Sequence, residues 1–170
     1  MSVSLLVACG GPSRYRAVVS ASPASGAGAC ASAVARGELP EWARAGLAPG
    51  ASAPHVFGAR GEIVAILLGY PYSAPARPGR PSRILWAARP GPADGDRPGR
   101  ALRIEATLVG RGDVVTREVA DGPGPSNIDL PAPGCWHLDL SWSGRTDAVD
   151  IPYEAGWCRA GANVAAPGTG

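Results

Sequence analysis

The chain has 170 residues, enough for one domain with a tether but short for two domains. Its net charge of +2 lacks the concentrated basic surface that nucleic-acid binding needs, so we expect no nucleic-acid partner. The 24 Gly and 18 Pro residues leave few long uninterrupted segments, which disfavours an α-helical fold.

The N-terminal residues end in the sequence Leu-Val-Ala-Cys at Cys9, which matches a bacterial lipobox. Small residues before the cysteine give a signal peptidase access to the bond, and the Cys9 thiol then carries the lipid that anchors the domain. We interpret residues 1–9 as a truncated lipoprotein signal, because only eight residues precede Cys9. Cys30, which follows Ala-Gly-Ala, is a weaker candidate for lipidation. The sequence therefore predicts a membrane partner through a lipid anchor, on the outer face of the cytoplasmic membrane.

Residues 10–37 are rich in Ser, Ala, Gly and Pro without a sustained period, and they predict a flexible tether. Residues 39–46 then predict a short N-terminal helix. Pro40 suits its first turn and Gly46 its end. We expect Trp42 to dock this segment on the domain as a lid.

From Pro54 onward, short apolar runs separated by Gly and Pro clusters predict strands. Residues 102–108 alternate apolar and polar side chains, whereas residues 63–68 are continuously apolar, as in a central strand covered on both faces. Without βαβ alternation, this pattern predicts an all-β fold, an antiparallel immunoglobulin-like β-sandwich of seven or eight strands at 38–160, with a disordered tail at 161–170. The eight predicted strands are 55–58, 62–70, 82–89, 101–109, 113–120, 127–130, 135–143 and 145–153.

The last two strands predict a hairpin with a two-residue turn at Ser143 and Gly144. In that register Trp136 faces Ile151 on one side of the sheet. On the other side His137 faces Asp150, with Asp139 nearby. These three polar residues are weak candidates for a metal site, and their more ordinary interpretation is an exposed charged cluster.

The four cysteines require a separate account outside the cytosol. If Cys9 carries lipid, the remaining cysteines allow a disulfide between Cys30 and Cys135 or, as the alternative, between Cys135 and Cys158. The first pairing would strap the N-terminal segment to the sandwich, and the second would close a short loop around the last hairpin. Zinc binding is disfavoured because no Cys-x-x-Cys spacing occurs.

Candidate binding residues lie around a Pro- and Arg-rich loop and comprise Tyr70, Tyr72, Arg77 and Arg80. Aromatic side chains exposed beside arginine often anchor interfaces. The alternative interpretation is that both tyrosines pack at a strand end. Catalytic motifs such as a nucleophile elbow, a P-loop or a zinc-protease helix are absent, so we predict neither an enzyme nor a cofactor; a hydrolase is the remaining catalytic alternative.

Four segments carry a family resemblance: 39–46, 61–67, 84–86 and the Pro-Gly-Cys-Trp sequence at 133–136. Together they resemble uncharacterised actinobacterial-type lipoproteins with a C-terminal immunoglobulin-like sandwich. The resemblance covers roughly residues 38–153 and implies the fold and an envelope location, but no activity. We predict a non-catalytic envelope lipoprotein that binds or assembles with an unknown envelope protein or polymer. The alternative is a small-ligand or metal carrier that uses the outer face around His137.

Overall fold

Two five-stranded β-sheets make up the described part of the chain. The computed structural model describes residues 30–44, 47–48, 50, 52–91 and 101–156. The ten strands are β1 Ala35–Glu38, β2 Ser52–Phe57, β3 Ile63–Leu68, β4 Tyr72–Ala74, β5 Arg83–Ala88, β6 Leu102–Leu108, β7 Val114–Val119, β8 Pro125–Asn127, β9 Gly134–Trp142 and β10 Arg145–Ala155. The all-β class predicted from the sequence is therefore confirmed.

The first sheet has the strand order β1-β2-β3-β5-β8, and the second has the order β4-β10-β9-β6-β7. Neighbouring strands are antiparallel, except that β4 pairs with β10 in parallel. Short hairpins join β2 to β3, β6 to β7 and β9 to β10. The chain changes sheet between β3 and β4, between β4 and β5, between β5 and β6, between β7 and β8, and between β8 and β9.

The inner faces of the two sheets share one apolar core. Trp86 of the first sheet and Trp136 of the second are both fully buried in it. Their indole N–H groups are satisfied, since Trp86 donates to the Ser126 hydroxyl at 3.0 Å and Trp136 to the Ala132 carbonyl at 2.9 Å. The alternation of β6 places Ile104 and its apolar neighbours in this core and turns the intervening polar residues outward.

Strand β3 is buried on both faces, as its continuous apolar run predicts. Its inward residues join the main core. Its outward residues, Val64 and Ile66, form a second cluster beneath Leu39 and Ala43, with Trp42 packed beside them. The N-terminal segment therefore covers the outer face of the first sheet, where the sequence predicts a lid.

The predicted N-terminal helix is limited to one 3-10 turn at Glu41–Ala43. Pro40 lies just before this turn in an extended conformation, so it begins the turn as predicted, but no α-helix follows in the described residues. The predicted tether, 10–37, also extends too far. Residues 35–38 form β1, which pairs with β2 although its Ala-Arg-Gly-Glu sequence has no apolar period.

The β9–β10 hairpin has the predicted register throughout. Ser143 and Gly144 have φ values of 43° and 74°, the left-handed conformation that a two-residue turn of this kind needs at both positions. Trp142 pairs with Arg145, and the pairing continues without a break to Tyr153. Two further strands differ from the prediction: the three-residue strand β4 has no predicted counterpart, and β8 lies at Pro125–Asn127 rather than at 127–130.

Candidate functional site

The outer face of the second sheet carries rows of polar side chains. Pairing across β7, β6, β9 and β10 aligns Glu118, Arg103, Ser141 and Thr146 in one row. The next row aligns Thr116 with three further residues, Glu105, Asp139 and Ala148. The outward positions of four strands thus form one continuous polar surface.

His137 lies one row further along this face and contacts two carboxylates. Its Nδ1 atom is 2.7 Å from Asp150 Oδ1, and its Nε2 atom is 3.6 Å from Asp139 Oδ1. The structure therefore brings together the three residues that the sequence places near one another. The two ring nitrogens face different carboxylates, so the donors do not converge on one point. Among the described residues, no group of three His, Cys, Asp or Glu side chains is arranged to hold a metal ion.

A groove of about 800 Å³ runs over the first two rows. Its polar lining has both signs of charge, with Arg60 and Arg103 opposed by Glu105 and Asp139. Three hydroxyl groups complete this lining; they belong to Thr116, Ser141 and Thr146. Such a groove can bind a ligand through several charged and polar contacts at once.

Two like charges lie directly opposite each other in the groove. Glu105 of β6 pairs with Asp139 of β9, an arrangement that destabilises a sheet in the absence of a compensating cation. Asp139 approaches His137, whereas no described side chain forms an ion pair with Glu105. Arg103 is 3.6 Å from Glu118 on the side away from β9. This part of the groove is therefore suited to a positively charged group.

Arg60 reaches the groove from the first sheet, in the β2–β3 turn, and donates from Nη1 to Thr146 Oγ1 at 2.8 Å. The turn is held by Asp147, whose carboxylate accepts the backbone N–H groups of Arg60 at 2.8 Å and Glu62 at 2.9 Å. Asp147 is 4% exposed, and its carboxylate lies where a side chain on Gly58 would be. This buried carboxylate joins the two sheets and positions one wall of the groove.

Sequence reasoning did not identify the groove. The alternation of β6 places Arg103 and Glu105 on one polar face, so the sequence does predict that these two side chains point outward on the same side. Arg60 and Asp147 have no such signal, because their roles depend on contact between segments 85–87 residues apart.

The predicted tyrosine and arginine residues lie together at one end of the sandwich, but in different environments. Tyr70 is half-buried and Arg77 and Arg80 are exposed, whereas Tyr72 is buried and donates its hydroxyl hydrogen to the Arg83 carbonyl. The expectation that both tyrosines are exposed is therefore wrong for Tyr72, which packs at the strand end.

The pKa values of the tyrosines follow from this packing. Burial raises the pKa of Tyr72 well above its ordinary value. Burial, with smaller contributions from Tyr72 and Asp129, does the same for the pKa of Tyr153. The Tyr70 pKa is raised by burial and by Glu154, and Arg36 opposes that rise. The rings of Tyr70 and Tyr72 meet edge to face, with centroids 5.7 Å apart.

A disulfide joins Cys30 to Cys135, the first of the two pairings that the sequence leaves open. Cys135 is at the start of β9, and the alternation of the strand places it on the outer face of the sheet. The bond therefore fastens the N-terminal segment to the second sheet. The predicted lipidation site Cys9 and the alternative partner Cys158 lie outside the described residues.

The two histidines lie apart and outside the groove. His55 is 3% exposed, and its Nδ1 atom lies 2.9 Å from the Ala53 carbonyl oxygen. Neither His55 nor His137 lines the groove. In the described part of the chain, no helical segment has the length and hydropathy needed to cross a lipid bilayer. Comparisons with protein-family models, curated proteins and solved structures find no match to this chain.

Proposed function

We propose that this protein is a non-catalytic binding module of the bacterial cell envelope, anchored by lipid at Cys9, and that the groove is its ligand site. The observation that carries the proposal is the groove of about 800 Å³ with charges of both signs and three hydroxyls. A ligand site needs such convergent polar groups on a rigid scaffold. The groove meets that need, because its floor consists of paired strands.

We propose further that the fold is immunoglobulin-like. Strands β3, β5 and β8 lie in one sheet and β10, β9, β6 and β7 in the other. The crossings between the sheets after β5, β7 and β8 give the Greek-key connections of that fold. On this assignment β1 and β2 extend the first sheet, and β4 extends the second, beyond the seven-stranded arrangement.

Two features support an envelope location. The lipobox sequence ending at Cys9 is one, and the Cys30–Cys135 disulfide is the other, because disulfides form and persist outside the cytosol. Intact-mass analysis of the protein isolated from its native membrane, before and after reduction and alkylation, tests this location. A diacylglycerol mass on Cys9 supports it, and an unmodified protein with four free thiols would refute it.

The lining of the groove favours a peptide as ligand. A peptide segment with both a basic and an acidic side chain can pair with the Glu105–Asp139 end and with Arg60 and Arg103 simultaneously. A neutral sugar would leave the Glu105 carboxylate, which forms no ion pair with the described side chains, without a cationic partner.

An NMR titration with two ligand pools tests the groove. One pool contains tetrapeptides that carry both an acidic and a basic residue, and the other contains neutral oligosaccharides. We expect peptide-induced shifts at the amides of β6, β9 and β10 around the groove. Asp139→Asn should abolish them, and the matched change Asp113→Asn, on an exposed turn elsewhere, should leave them intact. Shifts that miss the groove, or that survive Asp139→Asn, would contradict the assignment.

A small-ligand or metal carrier that uses the face around His137 is the second candidate; each ring nitrogen contacts a carboxylate, Nδ1 that of Asp150 and Nε2 that of Asp139, although these described donors do not converge as a metal site. Zinc and copper titrations followed by NMR separate it from the first candidate. A carrier should show metal affinity that His137→Ala removes. Metal affinity that is absent, or unchanged in His137→Ala, would reject the carrier.

A further inference from the structure

Two arginines lie side by side at one end of the sandwich. Arg77 and Arg80 are opposite each other across a tight turn, closed by the bond from Arg80 N–H to the Arg77 carbonyl at 2.9 Å. Pro78 and Gly79, with a Gly79 φ of 72°, supply the turn conformation. Both arginines are exposed, and none of the described carboxylates forms an ion pair with them; Arg80 also donates to the Gly69 carbonyl at 3.2 Å. Glu154 is the acidic residue of the small pocket that they line.

The same end of the sandwich exposes apolar side chains. In the described part of the chain three large apolar side chains are exposed, and two of them, Val109 at 42% and Val114 at 57%, flank the β6–β7 turn. That turn lies beside the start of β9, because the Val109 N–H donates to the Cys135 carbonyl at 2.9 Å. It also carries the exposed pair Arg111–Asp113, separated by 3.3 Å.

These two features lie on either side of the position where the N-terminal segment is fastened. Cys135 belongs to β9, the middle strand of the second sheet, while the arginine turn follows β4 at one edge and Val114 begins β7 at the other. Four strand spacings of about 4.8 Å place these edges about 19 Å apart. Cys135 pairs with Pro152 of β10, and Glu154, which lines the pocket beside the arginine turn, follows Pro152 by two residues. Two residues of a strand span about 7 Å.

We propose that this end of the domain lies on the anionic phospholipid surface of the membrane that holds the lipid anchor. The Arg77–Arg80 turn contacts lipid phosphates, and Val109 and Val114 enter the headgroup region. Tyr70, half-buried beside the turn, lies at the depth that tyrosine prefers at membrane surfaces. About twenty residues separate Cys9 from Cys30, and the chain joins the sandwich at this end.

This orientation rests on the proposed function, because it gives the lipid-anchored module a fixed direction. The groove then faces sideways, since its floor is the side of the second sheet and not its end. Arg60 and Arg89 lie at the opposite end of the sandwich, where the Arg60 N–H bonds to Asp147 and the Arg89 N–H donates to the Glu62 carbonyl at 2.7 Å.

Vesicle sedimentation with the full, unlipidated chain tests the inference. We compare phosphatidylcholine vesicles with an equimolar mixture of phosphatidylcholine and phosphatidylglycerol at an ionic strength of about 0.1 M, where the screening length is about 10 Å. A basic residue near an anionic surface raises partitioning about fivefold, so Arg77→Ser with Arg80→Ser should reduce it about 25-fold. The matched double change, Arg60→Ser with Arg89→Ser, should reduce it less than about threefold, because these arginines lie beyond the screening length.

The result that overturns the inference is equal binding to both vesicle types, or equal losses in the two double variants. A second arm adds inorganic phosphate at an ionic strength matched with chloride. Unchanged vesicle binding supports a lipid surface, and displacement by phosphate would assign the turn to a free anion and reject the membrane orientation. Because the protein carries no lipid in these measurements, failure here is distinct from a missing lipid on Cys9 or an empty groove.

Discussion

Asp147→Ala should strongly destabilise the fold, although Asp147 lies near the end of a strand rather than at the centre of the core. Its carboxylate accepts three backbone N–H groups at 2.8–2.9 Å, from Arg60, Glu62 and Ala148. Hydrogen bonds to a charged group contribute about 1.5–3 kcal/mol each, and unsatisfied donors add a desolvation cost. Since two of the donors belong to the other sheet, we expect a loss of about 3–5 kcal/mol in the free energy of unfolding.

A double-mutant cycle with Gly58 tests the reasoning more strictly. A Cβ atom on Gly58 would lie 2.1 Å from Asp147 Oδ2, so Gly58→Ala alone should cost about 1–3 kcal/mol through overpacking. In the Asp147→Ala background the carboxylate is gone, and the same change should cost less than about 1 kcal/mol. Urea unfolding with a shared m-value measures all four proteins. A cost for Gly58→Ala that is the same in both backgrounds, or a loss below about 1 kcal/mol for Asp147→Ala, would refute the account.

Three further predictions concern the core, the disulfide and the buried tyrosines. Trp136→Ala should lower the free energy of unfolding by about 3–5 kcal/mol, and a loss in urea unfolding below about 1 kcal/mol would show that Trp136 is not a core residue. Replacing both Cys30 and Cys135 with Ala should cost about 2–5 kcal/mol, measured against the oxidised protein, and an unchanged midpoint would mean that the bond does not constrain the unfolded chain. Because burial raises the pKa of Tyr72 and Tyr153, the unfolded chain releases their protons near pH 10 while the folded chain retains them. The free energy of unfolding therefore keeps its full value below pH 10 and should fall above it by about 2–3 kcal/mol per pH unit. A rise in the phenolate absorbance of Tyr72 and Tyr153 before the protein unfolds would contradict this prediction.

The parts of the fold that sequence reasoning predicted are those governed by local rules. The Ser143–Gly144 turn sets the pairing of its two flanking strands, so the contact between His137 and Asp150 follows from the alternation alone. The continuous apolar run of β3 likewise predicts burial on both faces, and the structure confirms it.

The parts that were missed depend on contacts between distant segments. Strand β1 has the sequence Ala-Arg-Gly-Glu, which carries no strand signal, and it forms because β2 offers an unpaired edge. The groove required Arg60 of one sheet to meet Thr146 of the other, a contact that Asp147 fixes from inside. A buried aspartate that accepts backbone N–H groups looks, in sequence, like any surface aspartate before a turn.

The position of the Cys30–Cys135 bond decides how mechanical force enters the protein. A pull on the chain ahead of Cys30 passes through the disulfide to β9, which is bonded to neighbours on both sides. Strand β1, held only by β2 at the edge of the first sheet, is bypassed. After reduction of the disulfide, the same pull would act on β1 directly. The four residue pairs between β1 and β2 would then separate one after another, from Ala35 onward. The bond thus protects the short β1 edge from tension on the chain ahead of Cys30.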